Sequence, residues 1–412
     1  MRKVVVIGHG YTSRLGLIRS LGAIGCEITV IVMVFYGRYK RYLHLEGGKP
    51  IDCYSKYVKN YYYCRAKDEN ELINLLVNKC ACPSQKVVII PDSDFSAAVI
   101  DRNQMRLKDS FLFPHINYKE GSVEYWMHKS NQKRLAKEIG LNVTSDCIIE
   151  VQNHRYIIPE NVQYPCFTKP LMTVGGGKGF LKRCDGEKEL HNVLNYVCTH
   201  FKADIKVLVE EYMIIDKEYA LVGFSNGKDV VIPGIIEFVA NSQSHFGIAR
   251  KGVIKPNVGF ENIIELFKKY VQRIGFCGLF DIDFYESKGK IYFGEMNLRY
   301  GGSGYAYTAM GVNLPAMMVN YLTKDNDVDG GKVVTRTATF VNERMFVDDW
   351  YYGYLSQHEM RQAIESADIR FVYNSIDQAP SRAINGYINL LRIKIIVKRI
   401  KDKIHNIIST NV

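Results

Sequence analysis

The chain has 412 residues, enough for two or three domains or one multi-lobed enzyme, and its 47% hydrophobic content is ordinary for a soluble globular protein. No charge-free apolar run approaches the roughly 20 residues of a membrane span, and the "VVVIG" opening lacks the length and flanks of a signal peptide, so the expected compartment is the cytoplasm. The net charge of +11 is partly a tail property, since Ile388 to Val412 carries six Lys/Arg against one acid; with no aromatic-interleaved basic stripe and no helix-turn-helix pattern, no nucleic-acid partner is expected.

From the N-terminus, "KVVVIGHG" is a β-branched run suited to a parallel strand buried on both faces. "SRLGLIRSLGAIG" then has helical apolar spacing, and "CEITVIVM" returns to strand. A second unit follows, with a helix around "ENELINLLVNKC" and a strand "KVVIIPDSD", so the first ~115 residues are expected to form an open parallel sheet. Ligands usually sit at the carboxyl ends of such strands. That makes His9, Tyr11, Ser13, Asp92 and Asp94 candidate substrate residues, with turn and capping chemistry, Ser13 as a helix N-cap, as the plainer alternative. Ten cysteines without a CxxC pair or Cys/His ligand spacing read as reduced, buried hydrophobes, not zinc ligands.

A helix "HKSNQKRLAKEIG" opens an α+β region, in which "VLVEEYMI", "EYALVGFSN" and "KDVVIPGIIEF" are expected to be antiparallel strands. The expected domains are 1–115, 116–325 and 326–412. The last holds a strand-like "VVTRTATFVNERMFV", an aromatic "DDWYYGYL", a helix near "QHEMRQAIESA" and a basic tail. In that tail Ile393, Ile396, Ile400, Ile404 and Ile407 recur at helical spacing among basic residues. Such a helix packs on the protein body or a partner, or makes peripheral contact with the inner face of an anionic membrane.

Three segments can carry chemistry. "YPCFTKPLMTVGGGKGF" delivers Lys169 from a strand and then Gly175, Gly176, Gly177 and Lys178 in a loop, where backbone N–H groups and two ammonium groups can close on phosphate oxygens. The Walker and GxGxxG spacings are absent. "VLVEEYMIIDKEYALVGF" supplies Glu210, Glu211, Tyr212 and Met213, a short segment able to hydrogen-bond and cover an adenine, and Glu218, able to hold ribose hydroxyls. In "GLFDIDFYESKGKIYFGEMNLRYGGSG", alternation puts Asp281 and Asp283 on one face of a strand, and Glu295, Asn297 and Arg299 on one face of the returning strand. Asp283, Glu295 and Asn297 are hard oxygen donors suited to Mg²⁺, which fills its octahedron with phosphate and water. Arg299 beside them suits an anionic transition state, and N–H groups just after it, at Gly302 and Ser303, suit an oxyanion. Taken singly, each segment also reads as a solvated turn or a cross-strand charge network.

Together, Lys129 in "HKSNQKRLAKEIGLNV", Lys169 with its glycine loop, "VEEYM" with Glu218, and "DID…GEMNLR" occur in the order of the landmarks of the ATP-grasp superfamily. Over residues 1–325 the chain resembles an ATP-grasp ligase, and "GEMNLRYGGSGYAYTAMGVNLP" resembles the carboxylate–amine ligases related to D-aspartate ligase. The resemblance implies an α/β and α+β fold: a Rossmann-like pre-ATP-grasp domain and a two-lobed ATP-grasp domain, followed here by a C-terminal extension. It implies ATP as cosubstrate with one or two Mg²⁺, or Mn²⁺ in their place. Lys129 and Lys169 would contact phosphates under the 175–178 loop, Glu210 to Met213 the adenine, and Glu218 the ribose. Asp283, Glu295 and Asn297 would hold metal, with Arg299, Gly302 and Ser303 at the transferring phosphoryl group. Partners would be a small-molecule carboxylate and an amine, such as an amino acid and a glycan or peptidoglycan precursor. A carboxylase or metabolite ligase, and a non-catalytic ATP-binding protein, are the alternative readings.

Overall fold

The computed structural model describes residues 1–34, 49–171, 181–201, 204–245, 247–324 and 332–409. The continuous Val/Ile runs near the N-terminus become β1 (Lys3–Gly8), β2 (Glu27–Val34), β3 (Val58–Arg65), β4 (Val87–Pro91) and β5 (Phe111–Leu112). They form an all-parallel sheet in the order β3-β2-β1-β4-β5. Both faces of β1 are covered: Val4 and Val6 pack with Leu17, Ile18 and Leu21, whereas Val5 and Ile7 pack with Leu72, Val99 and Ile100. That two-sided burial is why the strand shows no polar alternation.

A two-residue β6 (His115–Ile116) leads into the α+β region. There β7 (Asp146–Val151), β8 (Cys166–Pro170), β9 (Lys182–Cys184) and β10 (Ile205–Glu211) make a four-stranded sheet in the order β7-β10-β8-β9, backed by helix Glu187–His200. The large sheet contains β11 (Lys217–Asn226), β12 (Val230–Val231), β13 (Ile235–Asn241), β14 (Ala249–Lys255), β15 (Phe276–Ser287), β16 (Lys290–Asn297), β17 (Ala338–Val341) and β18 (Ile369–Arg370). Its order is β16-β15-β11-β13-β14-β17-β18, with β12 on β11 and β6 on β15. Helix Glu261–Ile274 lays Ile264, Phe267, Tyr270 and Val271 against it.

Three local expectations change. "KDVVIPGIIEF" is not one strand: β12 and β13 are separated at Pro233–Gly234, where a proline cannot donate to the ladder. An added Cβ on Gly234 would lie 2.9 Å from the Lys255 carbonyl oxygen. "NERMFV" leaves strand for helix Glu343–Tyr351, because fully buried Glu343 accepts the backbone N–H groups of Phe371, Val372 and Tyr373. Ser13 is not the N-cap of its helix, which begins at Tyr11 after Gly10.

The C-terminal segment is tied into the rest of the fold. Strand β17 pairs antiparallel with β14, and the buried Arg19 donates to Asp377 and to the carbonyls of Phe371 and Val372. Helix Ala379–Ser409 buries Ile384, Ile388 and Leu391 on the body. At 100° per residue Ile393, Ile396, Val397 and Ile400 fall on the opposite side, 44–57% exposed. The side chains of Ile404 and Ile407 lie outside the described residues. Among the described residues no helix is long and apolar enough to cross a membrane.

Candidate active site

The site is built on the β15–β16 hairpin. Along β15, Phe280, Ile282 and Phe284 enter the core beside helix Glu261–Ile274, which sends Asp281 and Asp283 to the other face. On β16 a register shift lies between the Asp283–Glu295 and Phe284–Phe293 pairs, so Gly294 is the extra residue of a bulge. Its position explains the glycine: an added Cβ would lie 2.8 Å from the Asp283 carbonyl oxygen. The bulge also exchanges faces. Phe293 stays in the core, yet Glu295 stands opposite Asp283 and Asn297 opposite Asp281, with Met296 and Leu298 back in the core.

Helix Lys129–Ile139 docks on this strand through Gln132. The Gln132 side chain accepts from Met296 N–H at 2.8 Å and donates to the Met296 carbonyl at 2.7 Å. That contact brings Lys129, in the first turn of the helix, into an ion pair with Glu295. Burial, then the neighbouring Lys169 ammonium, pushes the Lys129 pKa down to about 8. Lys169 on β8 pairs with Glu210 at 2.5 Å, and Lys133 approaches the other Glu210 oxygen at 2.5 Å and Asp146 at 3.3 Å. Burial works to raise the Glu210 pKa, but the two lysines reverse it and hold the group at about 2. The side chain of Glu210 is therefore committed to lysines, and only its backbone faces the segment assigned to a base.

That segment is otherwise as open as expected. Glu211 accepts from Ser145 Oγ, and Tyr212 lies under the Arg183 guanidinium at 4.4 Å with its N–H on the Pro165 carbonyl. Met213 is half-buried beside them, and Glu218 on β11 accepts from Asn241 at 3.0 Å. Gly175, Gly176, Gly177 and Lys178 lie outside the described residues.

Arg299 follows β16 and reaches into the N-terminal domain. It donates to Asp94 at 3.0 Å, to Asn297 Oδ1 at 3.2 Å and to the Tyr300 carbonyl at 3.2 Å. Asp94 opens helix Asp94–Arg102 at the carboxyl end of β4, so the two distant motifs meet. Beside it Asp92 accepts from Ser13 at 2.8 Å, and burial, opposed by Arg14, pushes its carboxyl up to about 6. Asp281 is also pushed up to about 6, by burial against the pull of Arg299, and burial raises Asp283, helped by Asp281 and Glu218. Gly302 is exposed, Ser303 is 8% exposed, and His9 is exposed at the mouth of the β1 loop.

Tyr11 is a correction. Its ring is buried with Leu15, Phe346 and Ile384, and Arg344 lies 5.6 Å from its centre, so it belongs to the core that the C-terminal segment closes. Sequence reasoning missed Lys133, Gln132 and Arg14. Lys133 and Gln132 sit one turn after Lys129 and could have been found by helical spacing. The buried Arg14–Asp52 pair, at 2.7 Å, joins residues with no sequence relation.

The donor set fits a hard divalent cation. Asp283 and Glu295 are opposed carboxylates on rigid strands with the Asn297 amide next to them, and the ionised form of Asp283 is disfavoured by desolvation and by Asp281 and Glu218, a cost that a cation would offset. Among the described residues no group of three or more Asp, Glu, His or Cys side chains is placed to hold a metal ion.

Residues 134–315 match the family model described as ATP-grasp domain. A 141-residue stretch is 32% identical to the carbamoyl phosphate synthase large chain of Clostridium botulinum, covering 33% of this chain and only 13% of that protein. The fold is similar to that of an L-amino acid ligase from Bacillus licheniformis (TM-score 0.56, 15% identity, 82% of this chain and 79% of that one). It is also similar to the biotin carboxylase domain of a Hydrogenobacter thermophilus 2-oxoglutarate carboxylase, solved with MgADP and bicarbonate (TM-score 0.59, 17% identity, 82% and 73%). The ATP-grasp match begins after the all-parallel N-terminal sheet and ends before the C-terminal segment that contributes β17 and β18.

Proposed function

We propose that the protein is an ATP-dependent carboxylate–amine ligase. The observation that supports it most is the convergence of Lys129, Lys169 and Arg299 with Asp283, Glu295 and Asn297 on one cleft between the two sheets of the α+β region and the N-terminal loops. In this reading Lys129 and Lys169 take phosphate oxygens. The backbone of Glu210 to Met213 takes the adenine edge, and Glu218 the ribose. Asp283, Glu295 and Asn297 hold Mg²⁺, which supplies neutralising charge to the phosphates when bound. A carboxylate oxygen is a poor leaving group; phosphorylation makes it a good one, and an amine then displaces phosphate to leave an amide. Arg299, with the Gly302 and Ser303 N–H groups, stabilises charge on the acyl phosphate.

The finer reading is an amino acid added to a cell-envelope precursor carried on lipid. The exposed Ile393, Ile396, Val397 and Ile400 stripe, flanked by Arg392 and Lys394, supports it as a peripheral contact with an anionic membrane. A second reading, an ATP-grasp carboxylase or metabolite ligase, is favoured by the likeness to the bicarbonate-bound carboxylase domain. ADP release with pools of amino acids, carboxylates and bicarbonate tests both. Amine-dependent turnover is expected, bicarbonate dependence selects the second reading, and ATP binding without turnover under any pool sinks both.

A further inference from the structure

We propose that Asp281, with Asp92 behind it, recognises the ammonium group of an amino-acid substrate whose acidic end is taken by Arg299. This rests on the ligase reading and names the substrate class for that site.

The inference starts from charge. Three carboxylates, Asp92, Asp94 and Asp281, act together on the single guanidinium of Arg299. Arg14, the other guanidinium near Asp92, is spent on both oxygens of Asp52 and on the Gly8 carbonyl. Asp94 is bonded to Arg299, but Asp92 Oδ1 and Asp281 Oδ1 are buried with no hydrogen-bond partner, in side chains each 8% exposed. Buried carboxylate oxygens are normally satisfied, and two orphans in side chains that both act on Arg299 point to a donor that arrives with the ligand. A cluster with three anions and one cation calls for a cationic group. Arg299 has used three of its five N–H donors, which leaves two for a carboxylate.

Asp281 acts on Arg299 and Asp94, whereas Asp283, two residues on along β15, acts on Asp281, Glu218, Arg299 and Lys129 and so lies between a first end of the cleft, at the lysines, and a second end, at the N-terminal loops. The Gly301 backbone passes so close to Asp281 that an added Cβ would lie 2.6 Å from Asp281 Cγ, so a side chain there would displace the carboxylate; Gly302 next to it is exposed.

The test measures ADP release with each of the twenty amino acids, their N-acetyl forms and their des-amino counterparts, in the presence of carboxylate and amine pools. Turnover is expected with a free amino acid and not with its N-acetyl form. Asp281→Asn, which keeps the shape, should raise the KM for that amino acid at least about tenfold while the ATP KM and the Mg²⁺ requirement stay within about twofold. An unchanged amino-acid KM, or a raised Mg²⁺ requirement with unchanged amino-acid KM, overturns the assignment and leaves the ligase reading intact. Wild-type protein that releases no ADP under any pool counts against the ligase reading instead. In that case calorimetric titration of the same amino acids decides: binding by wild type that is lost in Asp281→Asn and weakened in Asp92→Asn supports the site, and no binding by wild type overturns it. Thermal unfolding of both variants guards against loss of fold.

Discussion

The cleft and the C-terminal anchor treat buried charge in opposite ways. At the anchor, fully buried Asp349 accepts from Ser242, from Ser244 through N–H and Oγ, from Gln243 N–H and from Arg250, and Glu343 takes three backbone N–H groups. Arg19 likewise spends its guanidinium on Asp377 and two carbonyls. In the cleft, Asp281 and Asp92 keep orphaned oxygens, Asp283 is crowded by like charge, and Lys129 sits at about 8. At the anchor the carboxylates of Asp349 and Glu343 are each satisfied, and the orphans there, Arg250 Nε, Asn342 Oδ1 and Tyr11 OH, are not carboxylate oxygens; an unpaired buried polar group costs folding free energy. A site that must receive phosphates, a cation and substrates retains that cost until they arrive. The difference separates residues that hold the fold from residues that await a ligand.

The largest effect expected is on activity at the cleft. Glu295→Ala should lower ADP formation by more than about a hundredfold with little change in thermal unfolding, as befits a group that acts on a ligand. Near-wild-type turnover in that variant would remove Glu295 from the metal set and break the contrast at its functional side. At the anchor the expected loss is in stability: Asp349→Ala strands Arg250, the Gln243 and Ser244 N–H groups and the Ser242 and Ser244 hydroxyls, and should cost about 3–5 kcal/mol in denaturant titration. A loss under about 1 kcal/mol would show that the network is no more than surface polarity.

Acid sharpens the same point. Burial opposes ionisation of Asp349, yet hydrogen bonds from Ser244 and Ser242 hold its pKa at about 2 against an ordinary 3.8. A depressed acid stabilises the fold above its unfolded pKa and loses that contribution as pH falls through the folded one. The stability gap between wild type and Asp349→Asn should therefore narrow between pH 3.8 and about 2. A gap that stays constant over that window would mean that the Asp349 charge is not what the serines hold. The smallest change is predicted on the tail: Ile396→Ser, at a position 56% exposed, should shift stability by no more than about 0.5 kcal/mol. A larger loss would show that this face packs on something in the isolated protein.

Much of the architecture follows from local pattern. The β-branched runs at 3–8, 27–34 and 87–91, the helical spacing after Lys129 and the acid-bearing hairpin around Ser287 each state their element, because period and turn chemistry act within a few residues. The ordered lysines and the "GEMNLR" strand also carry the proposed phosphate end of the site. Contacts across the chain had to decide the rest. Tyr11 is core because helix Ala379–Ser409 covers it, and "NERMFV" is helical because Glu343 finds three N–H groups about thirty residues on. The Gly294 bulge puts Glu295, rather than Gly294, opposite Asp283. Arg299 meets Asp94 across 205 residues of chain. Sequence alone therefore determined the elements and the kind of chemistry, through propensity and spacing. Only the tertiary structure decided which charges are paired and which are left waiting, because desolvation and ion pairing depend on what is near in space.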